Sequence, residues 1–292
     1  MAVENKVSLY GQVLQVIPER ECITIMLMVI RRRNAGFGII NGANKLDVVP
    51  VKLRKKEQIQ ELLSGDMDFG INDMMYVYGV YCTPPKVKVW KCRECGELIK
   101  KPGNDSFVDA LSYMVTSTPY SLGLPDGTQI SRVQGLHMVQ RMDEMSNRIK
   151  IMGNVVADPE FYVTSGGIPI CTYNIAIDRN IHILEDPEEV RTDYPWVRSL
   201  GKVAESDHAH LKKGTLVYID GSLHERKGFW RTLKCDFCGT EGKYLDKYGT
   251  MEIVPYEVEY LNNYIDPDNP DAAPDNLESD ESDISGFSGD EE

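Results

Sequence analysis

Val7, Leu9, Gly11 and Val13 alternate with other residues in NKVSLYGQV (5–13), and Ile149, Ile151 and Val155 do the same in NRIKIMGNV (147–155). A period of two sends successive side chains to opposite faces of a sheet, so each stretch predicts a strand buried on one face. After 147–155, further strands are predicted at CTYNIAIDRN (171–180), DYPWVRSL (193–200), TLVYIDGSL (215–223) and TMEIVPYEVEYL (250–261). VAESDHAHLKKG (203–214) reads instead as a short helix, with Lys212 and Lys213 near its end and Gly214 as the stop. KKEQIQELLSG (55–65) is its earlier counterpart. His208 and His210 fall on the solvated face of the predicted helix rather than in a metal site.

The pattern occurs twice. NKVSLYGQV matches NRIKIMGNV and YVYG (76–79) matches YIDG (218–221), both at an offset of 142, while KCRECG (91–96) returns as KCDFCG (234–239) at 143. A Pro-Tyr pair also recurs, at 119–120 and 255–256. Markers in the same order at nearly constant spacing indicate a tandem duplication. The chain therefore divides into an N-terminal unit (1–124), a connector (125–146), a C-terminal unit (147–264) and a tail (265–292). Five short strands with one helix before the fourth predict an all-β fold of two tandem five-stranded OB-fold barrels. An immunoglobulin-like sandwich needs about seven strands and usually no helix. Each CxxC falls in a hairpin between strands four and five.

The net charge of −13 argues against nucleic-acid binding until its location is considered. Residues 266–292 hold eleven acidic groups and no Lys or Arg, leaving the rest of the chain near −2. The tail has almost no apolar residues to offset its ordering entropy and is expected to be disordered. The body carries basic clusters at Arg31, Arg32 and Arg33, at Lys52 to Lys56, and at Lys86 to Arg93. No run of about 18 apolar residues could span a bilayer and the first residues lack a signal-peptide core, so a soluble, cytoplasmic protein is expected.

NRIKIMGNVVADPE, the Gly pair before CTYNIAIDRN, WVRSLGKVAE and LKKGTLVYIDGSL together resemble the bacterial single-stranded DNA-binding protein family along nearly all of 147–264. The first unit resembles it through its opening strand and YVYG. The resemblance implies OB-folds that wrap single strands in a basic, aromatic-studded groove. It also implies four such folds per assembly, hence a homodimer of this two-fold chain. Trp196, flanked by Tyr194 and Arg198, stands where the family places a base-stacking Trp. Leu200 replaces the aromatic that often precedes Gly201 and Lys202, which removes one stacking platform. A sequence-tolerant binder needs cations and flat rings together. Arg226, Lys227 and Arg231 with Phe229 and Trp230, and Lys88 with Trp90, supply that mixture on the two hairpins, while Arg31 to Arg33 supply charge alone. GFGIING (36–42) lacks the Lys-Ser or Lys-Thr of a phosphate loop and reads as a loop between strands two and three.

Seven cysteines, four of them in CxxC pairs, fit a reducing compartment and thiolate chemistry. Cys22, Cys82 and Cys171 lie in strand-like surroundings and are read as core. A two-residue spacer followed by Gly is the knuckle of structural zinc sites, but one knuckle supplies only two ligands. Cys92, Cys95, Cys235 and Cys238 are therefore expected to share one Zn²⁺, within a chain or across a dimer. A redox CxxC would sit at a helix N-terminus in a βαβ setting, and neither motif does. No GxSxG, HExxH or P-loop motif is present, so the expectation is a non-enzymatic protein that binds and protects single-stranded DNA in replication, recombination, repair or transfer, associated with the nucleoid. A replisome or primosome interaction scaffold is the alternative. The acidic tail resembles those with which the family recruits replication and repair proteins, except that Phe287 is internal and lacks a preceding Pro.

Overall fold

The computed structural model describes residues 4–19, 21–30, 46–54, 59–60, 64, 69–117, 146–179, 181–182, 189, 191–226, 228–246 and 251–262. The 125–146 connector, apart from Ser146, and the 265–292 tail lie outside them, as do Arg31 to Arg33 and Lys227.

β1 (Asn5–Pro18), β2 (Ile23–Ile30), β3 (Leu46–Leu53), β4 (Met74–Cys82) and β7 (Phe107–Ser117) close a circuit: β1 pairs with β2, β2 with β3, β3 with β7, β7 with β4, and β4 with β1. The closing β3–β7 pairing is parallel, with Val51 opposite Val108. β8 (Asn147–Val155), β10 (Pro169–Asp178), β12 (Trp196–Leu200), β13 (Leu216–Glu225) and β16 (Met251–Asn262) form a second circuit of the same order, closed by the parallel pair Val197 and Ile253. This is the OB-fold order. β8 alternates buried and accessible residues as its sequence requires, with Ile149 and Ile151 fully buried. The apolar interiors, from Val7 and Leu27 to Ile175 and Val217, form a single connected core.

The circuits join through β1 and β8, which run antiparallel with Val7 opposite Ile149. Those two residues are counterparts across the 142-residue repeat, as are Asn5 with Asn147 and Leu9 with Ile151. Asn5 opposes Ile151 and Leu9 opposes Asn147, so the register reproduces itself on exchanging the units. Asn5 Nδ2 donates to Tyr81 O at 2.8 Å and Asn5 Oδ1 accepts from Tyr81 N at 2.9 Å. Asn147 repeats both bonds with Leu223, at 2.7 and 3.0 Å. The chain thus contains an internal, pseudo-symmetric dimer of barrels.

Several details differ from the expectations. Pro195 divides the third strand into β11 (Thr192–Asp193) and β12. β9 (Glu160–Val163), which was not foreseen, pairs with β10. The helix, α1, covers Lys202–His210 and ends four residues before Gly214, because Leu211 turns extended to bury its side chain. Gly214 serves a later turn at φ 91°, donating its N–H to Val155 O. In the first unit only Ile59, Gln60 and Ser64 of the predicted helix are described, and they are helical. No helix among the described residues is long and apolar enough to cross a membrane.

Candidate metal centre and nucleic-acid interface

Both hairpins are inserted between the last two strands of their circuits. β5 (Pro85–Lys91) pairs with β6 (Leu98–Asn104), and β14 (Phe229–Lys234) with β15 (Glu241–Asp246). At each tip the first cysteine N–H donates across the turn, Cys92 to Glu97 O and Cys235 to Thr240 O, and Gly96 and Gly239 donate back to those cysteines' carbonyls. Gly96 and Gly239 have φ of 79° and 73°, a left-handed conformation open to Gly at little steric cost.

The two tips meet within one chain. Cys92 Sγ lies 3.7 Å from Cys238 Sγ and Cys95 Sγ 3.7 Å from Cys235 Sγ, and all four sulfurs are within 4.8 Å of one another. A disulfide would bring two sulfurs to about 2.05 Å. A tetrahedral ion with metal–sulfur bonds of about 2.3 Å sets sulfurs about 3.8 Å apart, so the donor set fits a four-thiolate metal site. Hydrogen bonds from the N–H groups of Cys95 and then Glu94 lower the Cys92 thiol to about 6. At Cys95 the Glu97 N–H acts the same way but is outweighed by burial and by the other three thiols, which push it up to about 12. Ionising all four sulfurs at this spacing would require a cation between them.

Beneath the sulfurs the hairpins share an apolar cluster of Trp90, Ile99, Leu233 and Tyr244. Lys88 Nζ donates to both oxygens of Asp246, at 3.0 and 3.1 Å, and Arg231 Nε lies 3.2 Å from the same carboxylate. Gly103 leaves the space through which Lys88 passes, since a Cβ there would lie 2.9 Å from Lys88 Cδ. Trp90 Nε1 donates to Leu245 O at 3.3 Å. Trp90 and Lys88 therefore cannot serve as surface contacts for DNA: they are 8% and 5% exposed and form the internal packing of the head. Lys88 and Trp90 share one face of β5, and that face is covered by the other hairpin.

On the second barrel, Trp196 is half-buried opposite Asn174, and the Arg226 guanidinium lies 4.9 Å from its ring centroid. Glu252, almost fully buried, accepts from Arg198 Nε at 2.9 Å and also from its Nη2, and lies 3.7 Å from Arg226 Nε. One carboxylate thus holds two guanidinium groups beside one indole. Tyr194 is exposed, its backbone N–H fixed by Thr83 Oγ1 at 2.8 Å, and Thr83 N donates to Asp193 Oδ1 at 2.6 Å. Asp193 is pushed up by burial, against the pull of the Thr83 N–H and of Arg179, which pairs with it at 2.5 Å. Lys202 is exposed at the start of α1, and Trp230 is exposed on β14. Phe229 lies in β14 opposite Asp246.

Glu252 and Asp246 were not anticipated from the sequence. Glu252 sits between the buried Met251 and Ile253, where strict alternation breaks and no motif marks a functional acid. Asp246 carries no signal beyond ending the second strand of a basic hairpin.

Residues 146–229 match the Single-strand binding protein family. The single-stranded DNA-binding protein of Thermotoga maritima is 34% identical over 86 residues, 30% of this chain and 60% of the relative. That of Xylella fastidiosa is 30% identical over 120 residues, 41% of this chain and 66% of the relative. The chain thus spans about three fifths to two thirds of the length of these curated relatives. The crystal structure of the wild-type single-stranded DNA binding protein from Thermus aquaticus superposes with a TM-score of 0.53 at 14% identity, covering 90% of this chain and 95% of the other. A deletion mutant of the same protein gives 0.52 and covers 91% and 98%. The likeness to these structures is one of fold. The second unit is thus similar in sequence to the single-strand binding protein family, and the chain as a whole shares the fold of the Thermus aquaticus protein.

Proposed function

We propose that this protein binds and protects single-stranded DNA without catalysing a reaction, in replication, recombination, repair or transfer. The observation that carries the reading is Trp196, held on a family-matching barrel with Arg226 over its ring and Arg198 beside it. An indole and two guanidinium groups offer a base a stacking face and its phosphates a cation. Tyr194 and Lys202 flank that platform, with Trp230 and Arg231 on the adjoining hairpin. The relatives' names support the same substrate. The chain acts as two tandem OB units, 1–124 and 147–264. Through the family resemblance, two chains assemble as a homodimer, and the acidic tail recruits replication or repair proteins in the cytoplasmic nucleoid. The four-cysteine cluster holds one Zn²⁺ per chain that clamps the hairpins together.

Titration with oligo(dT), followed by tryptophan fluorescence at rising salt, tests the reading. Quenching that weakens steeply with salt and exceeds that caused by duplex DNA and oligo(U) is expected. Absence of quenching by oligo(dT) refutes it.

A further inference from the structure

The outer face of the second hairpin carries rings and cations that nothing in the metal head uses. Along β14 Trp230, Thr232 and Lys234 are exposed, while Leu233 is buried. Lys243 stands opposite Thr232, so Trp230, Lys243 and Lys234 share one face. Beyond them Phe237, between the two cysteines of the knuckle, is 78% exposed, and Trp230 is 60% exposed. Two large exposed rings, one at each end of a short strand with lysines between them, make the mixture of stacking faces and cations that a single strand requires. Asp236, the acid beside Phe237, already faces Lys101 Nζ at 3.5 Å, and Glu241 opposes Lys234.

The repeat supplies an internal comparison. At an offset of 143, Lys91 and Lys100 of the first hairpin correspond to Lys234 and Lys243, so the cations recur. Val87, Val89 and Glu94 stand in the places of Trp230, Thr232 and Phe237. The rings belong to the second face alone.

The hairpin strand also begins a few residues beyond the Trp196 platform. Arg226, which covers Trp196, lies four residues before Trp230. From Trp230 to Lys234 the strand extends roughly 13 Å at about 3.3 Å per residue, with Phe237 beyond it. We infer that the metal head is a second single-strand-binding surface, on which DNA leaving Trp196 runs along β14 to stack on Trp230 and Phe237, with Lys234 and Lys243 beside its phosphates. This rests on the proposed function of the barrel and adds a path that the barrel alone does not provide. The hairpin-tip turn and the shared apolar cluster fix where Phe237 is presented, so ordering the knuckle on binding costs little.

The test measures affinity for oligo(dT) of increasing length in the full chain, the W230A/F237A double variant, a V87A/V89A control and Trp196→Ala. In the wild type and the control, affinity should keep rising after the double variant has reached its plateau. The longest oligomers should bind the double variant about tenfold or more weakly, with the deficit shrinking as the oligomer shortens and metal content unchanged. Lys234→Gln with Lys243→Gln should lower the salt slope for long oligomers by up to about 1.4. If the double variant follows the wild type at every length while Trp196→Ala weakens binding, the head is not part of the path. If Trp196→Ala also changes nothing, the reading of the barrel falls with it.

Discussion

Trp196 and Asp207 show how single side chains can be tested against their surroundings. Replacing Trp196 with Ala removes the stacking face but leaves the Arg198–Glu252 pair. A loss of roughly 5- to 150-fold in oligo(dT) affinity is expected, corresponding to about 1–3 kcal/mol per stacked base, with a retained cooperative unfolding transition as the control. Asp207, fully buried on α1, accepts from Tyr260 Oη at 2.8 Å and Tyr173 Oη at 3.2 Å, yet burial outweighs these bonds and raises its pKa above 3.8. The folded chain therefore keeps this proton to higher pH than the unfolded chain does. The site's contribution to stability falls as pH rises above about 3.8 and levels off once the folded carboxyl has ionised. Asp207→Asn lacks that loss and should gain on the wild type in urea midpoint between about pH 4 and pH 7. An unchanged gap across that range would mean that the carboxyl titrates alike in both states. The other buried acids are common to both proteins and cancel in the comparison.

At the scale of an element, the two glycine bulges and the hairpin head give separate tests. Register shifts occur between Tyr78 and Gly79 in β4 and between Asp220 and Gly221 in β13, at repeat-equivalent positions. A Cβ at Gly221 would lie 2.6 Å from Val254 O, and one at Gly79 2.3 Å from Asp109 O, backbone atoms that cannot swing aside. Gly221→Ala should therefore cost about 1–3 kcal/mol in chemical unfolding. The hairpin head has only a small apolar cluster beneath the sulfurs. Cys238→Ser should abolish stoichiometric zinc and speed amide exchange at Trp90 and Ile99, while the barrel strands stay protected. Persistent zinc in that variant would point to a different ligand set.

Across the whole molecule, the β1–β8 pairing makes one folding unit of two barrels. Val7 and Ile149, Leu9 and Ile151 are all fully buried in the shared core, so neither barrel closes its apolar surface alone. Further links cross between the units, from Tyr81 Oη to Met251 O at 3.2 Å, from Met251 N to Ser106 Oγ at 2.9 Å and from Glu225 N to Asp47 Oδ1 at 2.9 Å. Asn147→Ala leaves a buried carbonyl and N–H of Leu223 without their partner and should cost about 2 kcal/mol. That loss should appear equally in unfolding reported by probes in either barrel. Two separated transitions would show that the units fold independently. Sedimentation of the full chain should give the mass of a homodimer.

The sequence by itself determined the doubling, the strand periodicity, the helix before the fourth strand and the pairing of the two CxxC knuckles. These are local patterns, repeated in register, that any fold of this chain must satisfy. It could not decide which of two similar aromatic positions faces water. Trp90 and Trp230 both sit among basic residues on hairpin strands, yet one is buried and the other exposed, because hairpin-on-hairpin packing covers only one face of each. Nor did periodicity single out Glu252 as the anchor of two arginines, or Asp246 as the partner of Lys88, since both pairings join residues far apart in the chain. The tertiary structure brought all four cysteines together within one chain, because the β1–β8 register sets the two barrels, and so their hairpins, about a common axis.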